Sequence, residues 1–215
     1  MTEEAARVAL VEVMRRAVAD GLSNGTAGNA SARLADGRVV VTPSGIPPDE
    51  LRPESMVCVG SDGAVLDHDA PAPTTELAMH LAVYAAVPEA GAVVHTHSPY
   101  AAAVACACDE LPAVHYDIVA LGGPLRVAPY ALFGTPELAA GVAAALVGRT
   151  AALLGNHGAV AHAADLRRAY DRAAKVEWLA ALYWRTRQLG EPRLLDASQL
   201  EAVRAQMARY RYGER

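Results

Sequence analysis

Residues 30–42 read ASARLADGRVVVT. Two strand-like runs, Ala30–Leu34 and Arg38–Thr42, flank Asp36-Gly37, a dipeptide suited to the positive φ angles of a tight hairpin. Hairpins join antiparallel neighbours, so the sheet is not built from βαβ crossovers alone. The pattern returns in Ser55–Val59 and Ala64–Leu66 around Asp62-Gly63, and in Ala151–Leu154 and Ala159–Ala163 around a Gly155–Gly158 turn. Ala92–His97 is a short apolar run suited to a buried strand, and Val114–Ala120 and Leu125–Tyr130 are further strand candidates.

Helical patterns fill the remainder. Glu3–Asp20 carries an apolar stripe of Leu10, Val11, Met14 and Val18 and is stopped by Gly21. Thr74 and Thr75 are candidate caps for a helix from Glu76 to Val87, closed by Pro88. Ser98-Pro99 opens a helix to Asp109, and Thr135-Pro136 opens one ending at Gly148. Asp165–Leu189 is the longest, and Ser198–Tyr210 the last. The expected fold is α/β, a mostly antiparallel or mixed sheet covered by helices.

A length of 215 residues suits a single domain spanning 1–215. With 53% hydrophobic and 20% charged residues, the chain is too apolar for charge-driven disorder. A net charge of −5 with no Lys/Arg block argues against a nucleic-acid partner. No apolar run reaches the roughly 20 residues of a membrane span. The first residues, MTEEAARVALVEVMRRAVADG, are acidic and then amphipathic, so no secretory signal is expected. Three cysteines cannot all pair, which favours a reducing cytoplasm.

Seven histidines are present. His95 and His97 stand two apart in a strand-like run and so share a face; they are either two ligands of one cation or two unrelated residues. His157, in the Gly155-Asn156-His157-Gly158 turn, is the best candidate for a third ligand. Glu76 and His80 share a helical face, as a joint metal pair or as an ordinary surface or core pair. His68 reads as a solvated loop residue, and His115 and His162 have no partner at metal spacing. Cys106 and Cys108 would point about 200° apart in a helix and read as small core residues.

Three segments suit an anion. Asn24-Gly25-Thr26-Ala27-Gly28-Asn29 and Thr42-Pro43-Ser44-Gly45 combine glycines with short polar side chains, and Thr74-Thr75 precede a helix. None carries a P-loop lysine. Each alone suits an ordinary turn or cap; beside a metal site they suggest a small phosphorylated substrate held by neutral donors.

Taken in order, these three segments with Thr75-Glu76, Ala92-Val93-Val94-His95-Thr96-His97 and Asn156-His157-Gly158 resemble the class II aldolase/adducin family over nearly the whole chain. The resemblance implies a three-layer sandwich, with the sheet between helical layers. It also implies a homotetramer with fourfold symmetry and active sites at subunit interfaces. One divalent metal per subunit would be held by His95, His97 and His157, usually zinc, with manganese or cobalt as alternatives. Glu76 matches a residue that contacts the metal and serves as base, and Tyr116 a proton donor supplied by the neighbouring subunit. Thr26, Gly28, Asn29, Thr42, Ser44, Gly45, Thr74 and Thr75 would form the phosphate pocket. Phe133 and Tyr212 match substrate-pocket positions, with Tyr210 a rival to Tyr212. Members acting on fuculose phosphate carry two serines where this chain has Thr74-Thr75, and a histidine where it has Asn156.

The implied reaction is reversible cleavage of a ketose 1-phosphate, such as L-fuculose 1-phosphate, into dihydroxyacetone phosphate and a short aldehyde. The only lysine, Lys175, lies deep in the longest predicted helix, which disfavours a Schiff-base route. Alternatives within the family are a pentulose-phosphate 4-epimerase and a methylthioribulose-phosphate dehydratase. A non-catalytic, adducin-like interaction domain would be expected to have lost the histidines.

Overall fold

In a computed structural model, residues 1–67 and 69–210 are described. Helix α1 (Glu3–Ala19) leads into strands β1 (Asn29–Arg33), β2 (Val39–Val41) and β3 (Val57–Val59). Helix α2 (Leu77–Ala86), strand β4 (Ala92–Thr96), helix α3 (Pro99–Ala107) and strands β5 (Glu110–Leu111) and β6 (Leu125–Ala128) follow. Helix α4 (Pro136–Ala145), strands β7 (Ala151–Leu154) and β8 (Gly158–Ala163), and helices α5 (Leu166–Leu189) and α6 (Ala197–Arg209) complete the order.

The strands form one eight-stranded sheet in the order β3-β2-β1-β4-β8-β7-β6-β5. Only β6 and β7 run parallel, so the sheet is mixed and mostly antiparallel, as the hairpin signals indicated. The strands are short and nearly continuously apolar, as befits a sheet covered on both faces. Alternation sends Ala30, Ala32, Val94, Ala159 and Ala161 to one face, against α1, α3 and α5. Val39, Val41, Val93 and Val160 face the other way, against α2 and α4. Side-chain caps secure helix starts, each by about 1 kcal/mol: Asp165 accepts from Arg168 N at 2.8 Å and Thr135 from Leu138 N at 3.3 Å. Among the described residues no helix is long and apolar enough to cross a membrane.

Two expectations are corrected. Val114–Ala120 is not a strand: Tyr116–Leu121 is a 3-10 turn, ended by Gly122 at φ 96°. A three-residue period buries Ile118 and Leu121 together, whereas a strand would send residues three apart to opposite faces. Cys106 is exposed and Cys108 half-buried: Cys106 lies on the face of α3 away from buried Ala101, Val104 and Ala105, and Cys108 is the C-cap just past the helix. The 55–66 hairpin is also smaller than expected, with β3 meeting the return segment at a single Val59–Val65 bridge.

Gly158 marks a tight approach near the sheet centre. A Cβ there would strike the Thr96 carbonyl oxygen and lie 3.3 Å from His97 Cα. Both are backbone atoms, so the β4–β8 ladder itself would have to open. Gly158→Ala should destabilise the fold by about 1–3 kcal/mol, as overpacked sites do. Urea unfolding checks this, and an unchanged midpoint would contradict the packing.

Candidate metal centre and substrate pocket

The centre lies where three strands and one helix start meet. Antiparallel pairing sets Asn29 opposite His95, and His95 opposite Val160. His95 shares the Val93 face of β4, toward α2, and His97 lies just past the end of the strand. His157 comes from the β7–β8 turn, where Asn156 takes the left-handed φ of 53° that asparagine tolerates. Glu76 is the N-cap residue of α2, not a member of its first turn. The expected Thr74 and Thr75 side-chain caps do not form; the Thr74 hydroxyl instead accepts from Glu76 N at 3.3 Å.

The ligand atoms of Glu76, His95, His97 and His157 all lie within 4.8 Å of one another. His97 Nε2 is 2.9 Å from His95 Nε2 and 3.1 Å from His157 Nε2. Glu76 Oε2 is 3.0 Å from His95 Nε2, and Oε1 is 3.4 Å from His157 Nε2. The Nδ1–H of His95 donates to the Ala159 carbonyl at 2.9 Å, so its Nε2 lone pair points into the cluster. Lone pairs meeting at such distances repel one another. A cation at their centre satisfies them all: tetrahedral zinc sets N···N at about 3.4 Å, a small outward adjustment. Glu76 Oε1 is buried and, among the described residues, has no hydrogen-bond donor, which suits it to a cation. The donor set therefore fits a divalent metal.

The electrostatics prepare the ligands. Burial raises the Glu76 carboxyl pKa, but the neighbouring His95, the Asn29 amide and His157 outweigh it and hold Glu76 below the usual carboxylate range. Burial, reinforced by His95 and His157, pushes His97 down to about 4. Burial and His95 also lower His157. Neutral imidazoles and an ionised carboxylate are the forms that bind metal.

A cavity of about 450 Å³ opens over the cluster, bordered by His97, His157 and Glu76. The first loop contributes Thr26, Gly28 and Asn29, the second Ser44 and Gly45, and the approach to α2 Thr74 and Thr75. Gly28, at φ 80°, has no room for a Cβ: it would meet Ser23 Oγ at 2.6 Å and the His95 carbonyl at 2.9 Å. Among the described residues, no lysine or arginine lines the cavity. Lys175 is engaged elsewhere, 2.7 Å from Asp117.

Several candidates sit differently from the expected pocket. Thr42 is buried outside the lining, where its hydroxyl accepts from Ala30 N at 3.2 Å and ties β2 to β1. Phe133 lines the cavity mouth and is 59% exposed. Tyr116 does not line this cavity; it is 50% exposed and stacks on His115. Tyr212 and His68 lie outside the described residues. Tyr130, Ala131 and Asn156 also line the cavity. No periodicity points to them; the glycine-bounded turn around Asn156 was the one available signal.

The chain belongs to the class II aldolase and adducin family: the model of the Class II Aldolase and Adducin N-terminal domain matches residues 8–184. A 5-methylthioribulose-1-phosphate/5-deoxyribulose-1-phosphate aldolase of Rhodospirillum rubrum is 41% identical over 201 residues, covering 93% of this chain and 89% of the relative. A 5-deoxy-D-ribulose 1-phosphate aldolase of Bacillus thuringiensis is 39% identical, covering 91% and 92%. A solved L-fuculose 1-phosphate aldolase superposes with a TM-score of 0.91 at 34% identity, covering 95% of this chain and 96% of that one. The chain is accordingly a class II aldolase, an aldehyde-lyase of a metal-dependent class.

The buried histidines carry an acid sensitivity. His80 is wholly buried, and burial, with His95, depresses it from 6.5 to about 3. Below pH 6.5 the unfolded chain takes up protons that His80, His97 and His157 refuse when folded. Stability is therefore full above that pH and declines as pH falls toward 4. His80 alone contributes a slope of about 1.4 kcal/mol per pH unit at its steepest. Urea midpoints of metal-free protein at pH 7.5, 6.5 and 5.5 should fall in that order; a constant midpoint would contradict neutral burial.

Proposed function

We propose that this protein reversibly cleaves a ketose 1-phosphate into dihydroxyacetone phosphate and a short aldehyde. The observation that carries the reading is the convergence of Glu76 with three imidazoles in a cavity whose lining donors are neutral. We assign His95, His97 and His157 as metal ligands, with zinc the first choice and manganese or cobalt as alternatives. A bound divalent cation supplies Lewis acidity to the carbonyl next to the carbon that gains negative charge.

The residues do the rest. Glu76 removes the carbon-bound proton of dihydroxyacetone phosphate in the addition direction and returns it after cleavage. Hydroxyls of Thr26, Ser44, Thr74 and Thr75, with backbone N–H groups near Gly28 and Gly45, bind the phosphate and orient the reacting carbon. Tyr116 protonates the aldehyde oxygen from the neighbouring subunit of a fourfold homotetramer. Its exposed position outside its own subunit's cavity supports that role. Phe133 and Tyr212 border the aldehyde end. The whole chain acts as one domain, in the cytoplasm, where its three free cysteines stay reduced.

The names of the two curated relatives favour a 5-deoxy- or 5-methylthio-pentulose 1-phosphate, and the structural relative keeps L-fuculose 1-phosphate on the panel. A cleavage screen over these three, with coupled detection of dihydroxyacetone phosphate, should find at least one substrate. Chelation should abolish cleavage and a divalent cation restore it. Equal cleavage of unphosphorylated ketoses would remove the phosphate pocket from the proposal.

Glu76→Gln keeps the size and hydrogen-bonding capacity of the side chain but removes the base. The metal-loaded variant should lose solvent exchange of the carbon-bound proton of dihydroxyacetone phosphate, a half-reaction that needs no aldehyde. Exchange at the wild-type rate would show that another residue is the base.

A further inference from the structure

Behind Glu76, away from the three histidine ligands, lies a row of buried polar side chains. Asn29 Nδ2 donates to Glu76 Oε2 at 2.9 Å. Asn29 Oδ1 is 2.5 Å from His80 Nε2, and His80 Nδ1 is 2.7 Å from Ser31 Oγ. Ser31 Oγ is in turn 2.8 Å from the Tyr84 hydroxyl. All five residues are buried, and His80 has no exposed surface. The row runs from α2 to β1 and back: Tyr84 and His80 stand one helical turn apart, and Asn29 and Ser31 share one face of the strand.

Chemistry fixes the direction of every bond. An ionised carboxylate only accepts, so Asn29 must present its N–H to Glu76. Its carbonyl oxygen then faces His80, whose Nε2 must carry the proton. Nδ1 is left as an acceptor, so Ser31 donates to it, and Tyr84 donates to Ser31. Four donors thus point the same way and end on the carboxylate. Burial keeps His80 neutral, which this order requires. Donors aligned in a low-dielectric interior polarise one another.

We propose that His80 is a positioning residue for Glu76, acting through Asn29. Its Nε2–H pins the Asn29 carboxamide in the one orientation that gives Glu76 a donor. The flipped amide would set oxygen against oxygen at Glu76 and N–H against N–H at His80. Asn29 occupies Oε2, and this leaves Oε1, which has no donor among the described residues, to take the substrate proton. The proposal rests on Glu76 being the base.

The test has a spectroscopic arm and a kinetic arm. In ¹⁵N spectra of metal-free and metal-loaded protein, His80 should be the neutral Nε2–H tautomer; an Nδ1–H tautomer overturns the proposal. This arm needs no substrate, so it decides the hydrogen-bond order even if no ketose phosphate is cleaved. His80→Leu should keep one metal per chain and the wild-type KM while kcat and proton exchange fall about 10–100-fold, the usual effect of losing an outer-shell partner. His80→Gln, whose amide N–H can replace Nε2–H, should recover most of that loss. Should His80→Leu fail to fold, Ser31→Ala removes the donor to Nδ1 and should lower kcat at unchanged KM. A folded, metal-loaded His80→Leu or Ser31→Ala protein with wild-type kcat, or a His80→Gln protein no better than His80→Leu, overturns the proposal.

Discussion

The register of β1, β4 and β8 is the constraint on which the rest of the structure depends. Antiparallel pairing sets Asn29 beside His95, and the β7–β8 turn delivers His157 to the same end of the sheet. A slip of one residue in β4 would move His95 to the α1, α3 and α5 face and bring Val94 into the centre. Neither face would accept that exchange. One would bury an unpaired imidazole among apolar side chains, and the other would lose a ligand and a hydrogen-bond partner. The apolar cores on both sides of the sheet thus hold the polar centre in register.

Crowding four ligand atoms into a mostly buried pocket works against folding unless charge is balanced. Two of the four groups are held by a partner beyond the cluster. His95 donates to the Ala159 carbonyl, and Glu76 accepts from Asn29. Burial lowers the pKa values of His97 and His157, so these two imidazoles are neutral, the form that binds metal. Among the described residues, the pocket above is lined by no lysine or arginine and offers hydroxyls and backbone amides. That division suits the proposed phosphate next to a divalent cation. In that reading a metal would carry the strong charge, and the neutral donors would fix position without competing for its ligands.

The family shares the frame, and the pocket rim is where this chain can set its own preference. Tyr130, Phe133 and Asn156 stand at that rim, on connections between elements, where a substitution leaves the register untouched. Glu76, His95 and Asn29 are held by the strands and the start of α2, where a substitution does not. In the proposed reading, metal chemistry and substrate choice fall on separate parts of the fold, consistent with relatives that share the fold but differ in their named sugar phosphates.

By itself the sequence determined the mixed, mostly antiparallel sheet, because Asp36-Gly37 and the Gly155–Gly158 turn are local signals that need no distant partner. It also determined the face shared by His95 and His97, since strand geometry links residues two apart. It misread Val114–Ala120 as a strand, because a short apolar run suits a strand or a turn and only the joint burial of Ile118 and Leu121 chooses between them. It took Thr42 for a pocket residue and Glu76 for a first-turn residue, because whether a hydroxyl meets a ligand or a neighbouring strand depends on pairing. The bond between Asn29 and Glu76, and the one between Asn29 and His80, were beyond its reach. Those pairs lie 47 and 51 residues apart, and only the packing of α2 onto β1 brings them within hydrogen-bonding distance. Local geometry is encoded in neighbouring residues, whereas the choice of partner for a buried polar group is made only when the elements pack and water is excluded.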